Sequence, residues 1–437
     1  MSKLQTSVIL IVLILVFLFS TRVCYANQIT ECNFLYKLTS PDPQYRGLFG
    51  SSCVIYNNTI AIGESGLYGG SEPGKVHFFN LNGSLVKSIK SPLSGNQSYF
   101  GYAITKCHNL LLIGDPGITV EGIKSAGMVH VYLDGEYVKT ITSTQPSLNG
   151  EFGRSLASNG KLILIGEPGP QILDENVTSR VHVYNKKCEY QYTIQQSEAR
   201  AGCFGMSIAL NNETIIIGEP YLSEGRHGWQ GIAYLYDLNG KLIRNITSPL
   251  HTSTIYPRNF GYRISANDNM IAIGEVRGSV DELDAAGRAY IFDRKGNFLT
   301  NLTSLKPTGY ANFGYLLVWR DLILVEDYVR VENFTDRIGA VIYDKLGNIQ
   351  AVVSSRDYEW ARGYPKAFND EFIILGDISG SSSGVEYAGN VYVMRVPQEI
   401  WDMNNDFQNR SVSIWVLILP FIVLLLLLYR RLYTYYF

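Results

Sequence analysis

Apolar residues in this chain gather in short runs, not in the three-to-four spacing of helices. One kind of run is apolar at almost every position and stops at an acid. It reads TIAIGE to Glu64, LLLIGD to Asp115, LILIGE to Glu167, TIIIGE to Glu219, MIAIGE to Glu275, LILVED to Asp327 and FIILGD to Asp377. Such a run predicts a strand buried on both faces. A polar stretch follows, then a second run: VHFF, VHVY, VHVY, AYLY, AYIF, AVIY or VYVM. A turn then leads to a strand with polar and apolar residues interspersed, as in LNGSLVKSI, LNGKLIRNI and RKGNFLTNL. Alternation predicts an outer strand with one wet face. Ahead of each unit stands a Phe-Gly pair, at Phe49-Gly50, Phe100-Gly101, Phe152-Gly153, Phe204-Gly205, Phe260-Gly261 and Phe313-Gly314, with Arg362-Gly363 as a worn seventh.

Four antiparallel strands in a unit of about fifty residues is the blade of a β-propeller. The last unit has three strands, ending near Arg395. A spare strand precedes the first: NFLYKLTSP (Asn33 to Pro41) matches KLIRNITSP (Lys241 to Pro249) and SLVKSIKSP (Ser84 to Pro92). The pattern therefore predicts an all-β, seven-bladed β-propeller over residues 33–396, closed by its N-terminal strand, which leaves only short, protected edges.

The two ends differ from the middle. Lys3, the apolar run from Val8 to Phe19 and the small residues before Asn27 predict a signal peptide over residues 1–26. A stalk over 397–410 leads to an uncharged apolar stretch at 411–429, long enough for a transmembrane helix. Trp415, the C-terminal tyrosines and Arg430-Arg431 place the tail, 430–437, in the cytoplasm. Sequons begin at Asn57, Asn82, Asn96, Asn176, Asn212, Asn245, Asn301, Asn333 and Asn409, as expected of a glycoprotein outside the cell. Cys32, Cys53, Cys107, Cys188 and Cys203 allow at most two disulfides and one leftover thiol, and no zinc spacing is present. With 37 Lys+Arg against 39 Asp+Glu, the net charge of -2 offers no attraction for nucleic acid.

The Phe-Gly opening, the apolar strand closed by Gly-acid and the Gly-X-Val-Tyr-Val third strand resemble FG-GAP repeats, which build the seven-bladed head of integrin α subunits. The resemblance spans residues 33–396. It departs in two ways: acids stand where the repeats usually carry Ala, and the calcium loop between first and second strands is missing. Tyr56-Asn57-Asn58 and Ser158-Asn159-Gly160 occupy that place. The resemblance thus implies the calcium-free kind, with no cofactor.

Blade symmetry puts Glu64, Asp115, Glu167, Glu219, Glu275, Asp327 and Asp377 at equivalent points on one face. They form either a negative mouth for a ligand or a device repeated because the blade is repeated. His77, His130 and His182 share one strand position with Tyr234, Tyr290 and Tyr392, which points to packing between blades. Glu275, Asp281, Glu282 and Asp284 are the richest oxygen cluster for a metal, and Arg226, His227 and Trp229 mark a recognition loop. No nucleophile elbow, Walker loop or His-Glu-X-X-His occurs. The expected function is non-catalytic recognition or adhesion at the cell surface, of an extracellular protein or glycan, through one face of the ring. An exported carbohydrate hydrolase, with acids in the central funnel, and a purely architectural role in a cell envelope are the alternatives.

Overall fold

The computed structural model describes residues 30–66, 73–93, 98–170, 179–196, 202–223, 228–250, 257–311, 313–330, 337–355 and 364–401. The expected signal peptide, transmembrane helix and tail lie outside these residues, as do most of the stalk, Arg226, His227, and the sequons at Asn96, Asn176, Asn333 and Asn409. Among the described residues no helix is long and apolar enough to cross a membrane.

The described strands form seven sheets. The first blade shows the plan: Phe49–Tyr56, Thr59–Glu64, Lys75–Asn80 and Leu85–Lys90, each strand antiparallel to the last. Six blades follow this order within the chain. The seventh has Tyr364–Phe368, Phe372–Asp377 and Asn390–Arg395 as its own strands, and Asn33–Thr39 adds its outer strand, with Leu38 opposite Val391. Closure goes one step beyond the expected arrangement. Thr30–Glu31 pairs in parallel with the outer strand of the sixth blade, Ile349–Ser355, and the Cys32 amide donates to the Val352 carbonyl at 2.9 Å. One short segment thereby straddles two blades.

The first strands of neighbouring blades pack on one another and line the centre. Phe49 lies opposite Glu64 and Phe260 opposite Glu275, so Phe-Gly and the acids share one end of the blades, here the upper face. The tight turns between first and second, and third and fourth, strands form the lower face.

Burial explains the repeat. Seven apolar clusters fill the described core, each shared by two neighbouring blades. That between the seventh and first contains Leu38, Phe49, Ile60, Ile374 and Val393. The six Phe-Gly phenylalanines are at most 2% exposed. Burying each contributes about 2–3 kcal/mol. The glycine that follows has a positive φ (87° at Gly101), and a Cβ there would lie 2.7 Å from the Lys75 carbonyl oxygen. Only glycine meets both demands at no steric cost.

Both described ends sit on the lower face. Asn33 pairs with Arg395 at the lower end of the seventh blade. The first residues of the expected stalk are docked rather than extended: a helical turn at 398–401 buries Ile400 and Trp401, the Trp401 indole donates to the Asp370 carbonyl at 2.9 Å, and the Arg320 guanidinium lies over its ring. Cys32, Cys53, Cys107, Cys188 and Cys203 are all buried and none is bridged. Spacing alone could count possible disulfides but could not show that these thiols would be enclosed in the packing between blades, where Cys107 and Cys188 share one cluster unbridged. Burial pushes Cys32, Cys53 and Cys203 up to about 12, which leaves them as inert thiols.

Candidate functional site

The seven acids form a ring, but not an open one. Each is at most 3% exposed. Their partners show what they hold. Glu64 accepts from Ser40 (2.8 Å), at the end of the seventh blade's outer strand, and bonds His77 Nε2 at 2.7 Å. Glu167 accepts from Ser143, after the second blade, and bonds His182 at 2.7 Å. Asp115 accepts from Ser91, Ser98 and the Tyr99 amide, while His130 Nε2 stays 3.7 Å away. Gln196 and Tyr234 donate to Glu219, and Tyr290 donates to Glu275 at 2.8 Å. Asp327 accepts from Ser304 and the Leu305 amide, and Asp377 from the Ser379 amide. In six blades the carboxylate thus fastens, directly or through Tyr290, the polar residue that ends the preceding blade to its own blade. Desolvation pushes Glu275 up to about 7, and Asp327 and Asp377 to about 6.

The histidines do more than pack between blades. The Nδ1 atoms of His77, His130 and His182 bond Ser88, Thr140 and Thr193 on the outer strand, at 2.7–2.9 Å, and each ring rests on the phenylalanine of its own blade. Tyr234 and Tyr290 take the same place, so a phenol O–H substitutes for an imidazole N–H.

The oxygen cluster does not assemble. Glu275 points inward to Tyr290, whereas Asp281 and Glu282 are exposed and Asp284 accepts from Ser279 at 3.4 Å. Among the described residues no group of three His, Cys, Asp or Glu is placed to hold a metal. Sequence proximity suggested a shared ion; the turn of the chain after Glu275 separates the carboxylates.

Trp229 is 37% exposed on the upper face and sits edge-on to Tyr221, with ring centres 5.0 Å apart. A track of rings continues from there: Tyr221 to Tyr262 (6.3 Å), Tyr262 to Tyr315 (5.8 Å) and Tyr315 to Tyr364 (4.4 Å). Tyr262, Tyr315 and Tyr364 each follow a Phe-Gly or Arg-Gly pair, where the first strand enters the channel. The Arg263 guanidinium lies over two of these rings, 5.1 Å from Tyr262 and 5.0 Å from Tyr315. It is half-buried and makes no hydrogen bond or ion pair with another described residue. Burial works against its charge, but the phenols of Tyr262, Tyr315, Tyr102 and Tyr364 outweigh that and raise its pKa. The influence of Tyr102, from the second blade, reaches Arg263 from another sector of the ring.

Lys366 completes the cluster. Its ammonium donates to the Ser51 carbonyl at 2.8 Å and lies 5.6 Å from the centre of the Tyr364 ring. Burial, then Arg263, push it down to about 8, against the pull of Cys53 and Glu326.

These charges mark where the repeat lapses. Ser52, Ser155 and Ser207 donate to the carbonyl of the next blade's Phe-Gly glycine at 2.5–2.6 Å; Arg263 holds the corresponding register in the fifth blade. Gly63, Gly114, Gly166, Gly218, Gly274 and Gly376 precede the ring acids, whereas Glu326 precedes Asp327. Sequence reasoning missed this site. The signals were present as irregularities: VED where other copies read Gly-acid, and YRIS where the first four copies carry Ser52, Ala103, Ser155 and Ser207 after the first position.

No family model matches the chain, and no curated protein matches it. Among solved structures the chain is similar to the Neurospora crassa Pan2 WD40 domain, at TM-score 0.51 and 10% identity, covering 85% of this chain and 97% of that one. The likeness extends to the seven-bladed β-propeller fold.

Proposed function

We propose that the chain is a non-catalytic recognition protein that grips an extracellular protein with the upper face of its ring. The observation that carries this is the aromatic track from Trp229 to Tyr364, joined by an arginine that no described carboxylate engages. Tyr, Trp and Arg are the side chains that most often dominate binding energy at protein interfaces. Kinship with calcium-free FG-GAP repeats is part of the same reading. So is the anchor at 411–429. Since the described chain leaves from the lower face at Trp401, that anchor turns the upper face outward, away from the bilayer. Hydrolysis needs carboxylates open to a substrate; the seven acids are enclosed and bonded, which favours recognition over turnover.

The test is a photocrosslinking amino acid placed at Tyr310, 67% exposed on an upper loop, or at Leu346, 65% exposed on a lower turn, in the full chain on expressing cells. Discrete protein adducts are expected from position 310 and none from 346. Adducts from 346 alone, or from neither, overturn the assignment.

A further inference from the structure

We infer that the channel mouth between the fifth and seventh blades is a carboxylate-binding site, and that it takes an acidic side chain or C-terminus of a protein partner. This rests on the upper face being the recognition face. Three observations lead to it. Arg263 is held by two ring faces and not by an anion, so its in-plane N–H groups are available to a ligand. A planar guanidinium presented in this way matches a planar carboxylate in two parallel hydrogen bonds.

The charge count sets the ligand's charge. Arg263 and Lys366 bear on each other electrostatically and Glu326 bears on Lys366, which leaves one positive charge in excess among these described residues. A single carboxylate balances it; a phosphate dianion overshoots. Arg154, at the post-glycine position in the third blade, adds no free charge because Glu151 pairs with it.

The rings separate a peptide from a sugar. Sugars bind aromatic residues across an open ring face. Here Arg263 covers Tyr262 and Tyr315, Lys366 lies over Tyr364, and Tyr315 also packs on Tyr364. What this cluster offers is cationic donors rather than an open ring face, which suits a carboxylate.

The decisive variant is Arg263→Ser. It installs the residue found at this register in the first, third and fourth blades, whose hydroxyl bonds the next blade's glycine carbonyl. The purified full chain in detergent micelles is titrated with three fluorescent probes: an amidated peptide of alternating Gly and Glu, the same peptide with Gln for Glu, and an oligogalacturonate. The Glu peptide is expected to bind, weaken about tenfold or more in R263S, and remain unchanged in R294Q, which removes a lower-face cation. Failure of the Glu peptide to bind overturns the site. So does equal binding of the Gln peptide, undiminished binding in R263S, or tighter binding of the oligogalacturonate. Crosslinks from position 310 that persist unchanged in R263S remove the carboxylate site alone, whereas their absence from the wild-type chain removes the recognition face itself.

Discussion

The seam between the first and second blades and the seam between the sixth and seventh are built from the same repeat and differ in what they admit. At the first, Gly63 meets the Gly101 carbonyl so closely that a Cβ would overlap it, and the Ser52 hydroxyl donates to the same oxygen at 2.6 Å. At the other, Glu326 stands in the place of Gly63, and the following repeat opens on Arg362-Gly363 instead of Phe-Gly. Both halves of the sequence pattern lapse together there, and the cations and tyrosines Arg263, Tyr315, Tyr364 and Lys366 gather beside that seam. A regular seam is saturated by its own backbone; chemistry is available where the repeat gives way. Rules broken at one place in an otherwise consistent sequence mark functional sites more often than defects.

The sharpest way to break this contrast is to copy one seam into the other. Gly63→Glu is expected to prevent folding, through steric overlap and a buried carboxylate without its cation, a loss of about 4 kcal/mol or more. Chemical denaturation of a chain that tolerates this change would show that the seams are equivalent. Phe100→Ala in the regular seam comes next. It empties the cluster of Tyr56, Val76, Phe78 and Ile113 and is expected to cost about 3–5 kcal/mol in urea unfolding. The converse exchange, Glu326→Gly, restores the repeat where it has lapsed and is expected to cost about 2 kcal/mol at most. A cost equal to that of Gly63→Glu would contradict the comparison.

The smallest expected effect distinguishes the histidine blades from the tyrosine blades. Glu275, bonded to Tyr290 and desolvated, has its pKa raised from the ordinary glutamate range to about 7. Between those values the folded chain holds a proton that the unfolded chain has released. This contribution is therefore present at low pH and is lost as pH rises through about 7. Thermal unfolding from pH 5 to 8 should show stability falling on the order of 1–2 kcal/mol more in the wild type than in Glu275→Gln. Parallel profiles for the two would mean that Glu275 does not titrate in this window. Lys366 works in the opposite direction: with its pKa depressed to about 8, stability rises between there and its unfolded value, as the unfolded chain retains the proton longer.

Much of the fold was legible along the chain. Apolar runs ending at Glu64 through Asp377 became the buried second strands, and the spare strand at Asn33–Thr39 paired with Asn390–Arg395. These features are local or repeated, so sterics, side-chain period and self-similarity impose them wherever the chain goes. The site was not legible in the same way. Arg263, Tyr315, Glu326 and Lys366 lie on three blades and share no motif; alone, each reads as an irregular residue in a worn copy. Only the packing of successive blades brings the first strands of the fifth, sixth and seventh side by side, and only then do ring faces, cations and one carboxylate fall within each other's reach. The acids show the reverse. Their repetition was plain in the sequence, but whether they faced a ligand or the next blade depended on where Ser40, Ser143 and Ser304 came to rest. That was decided by the crossover between blades, a relation in space that no single repeat encodes.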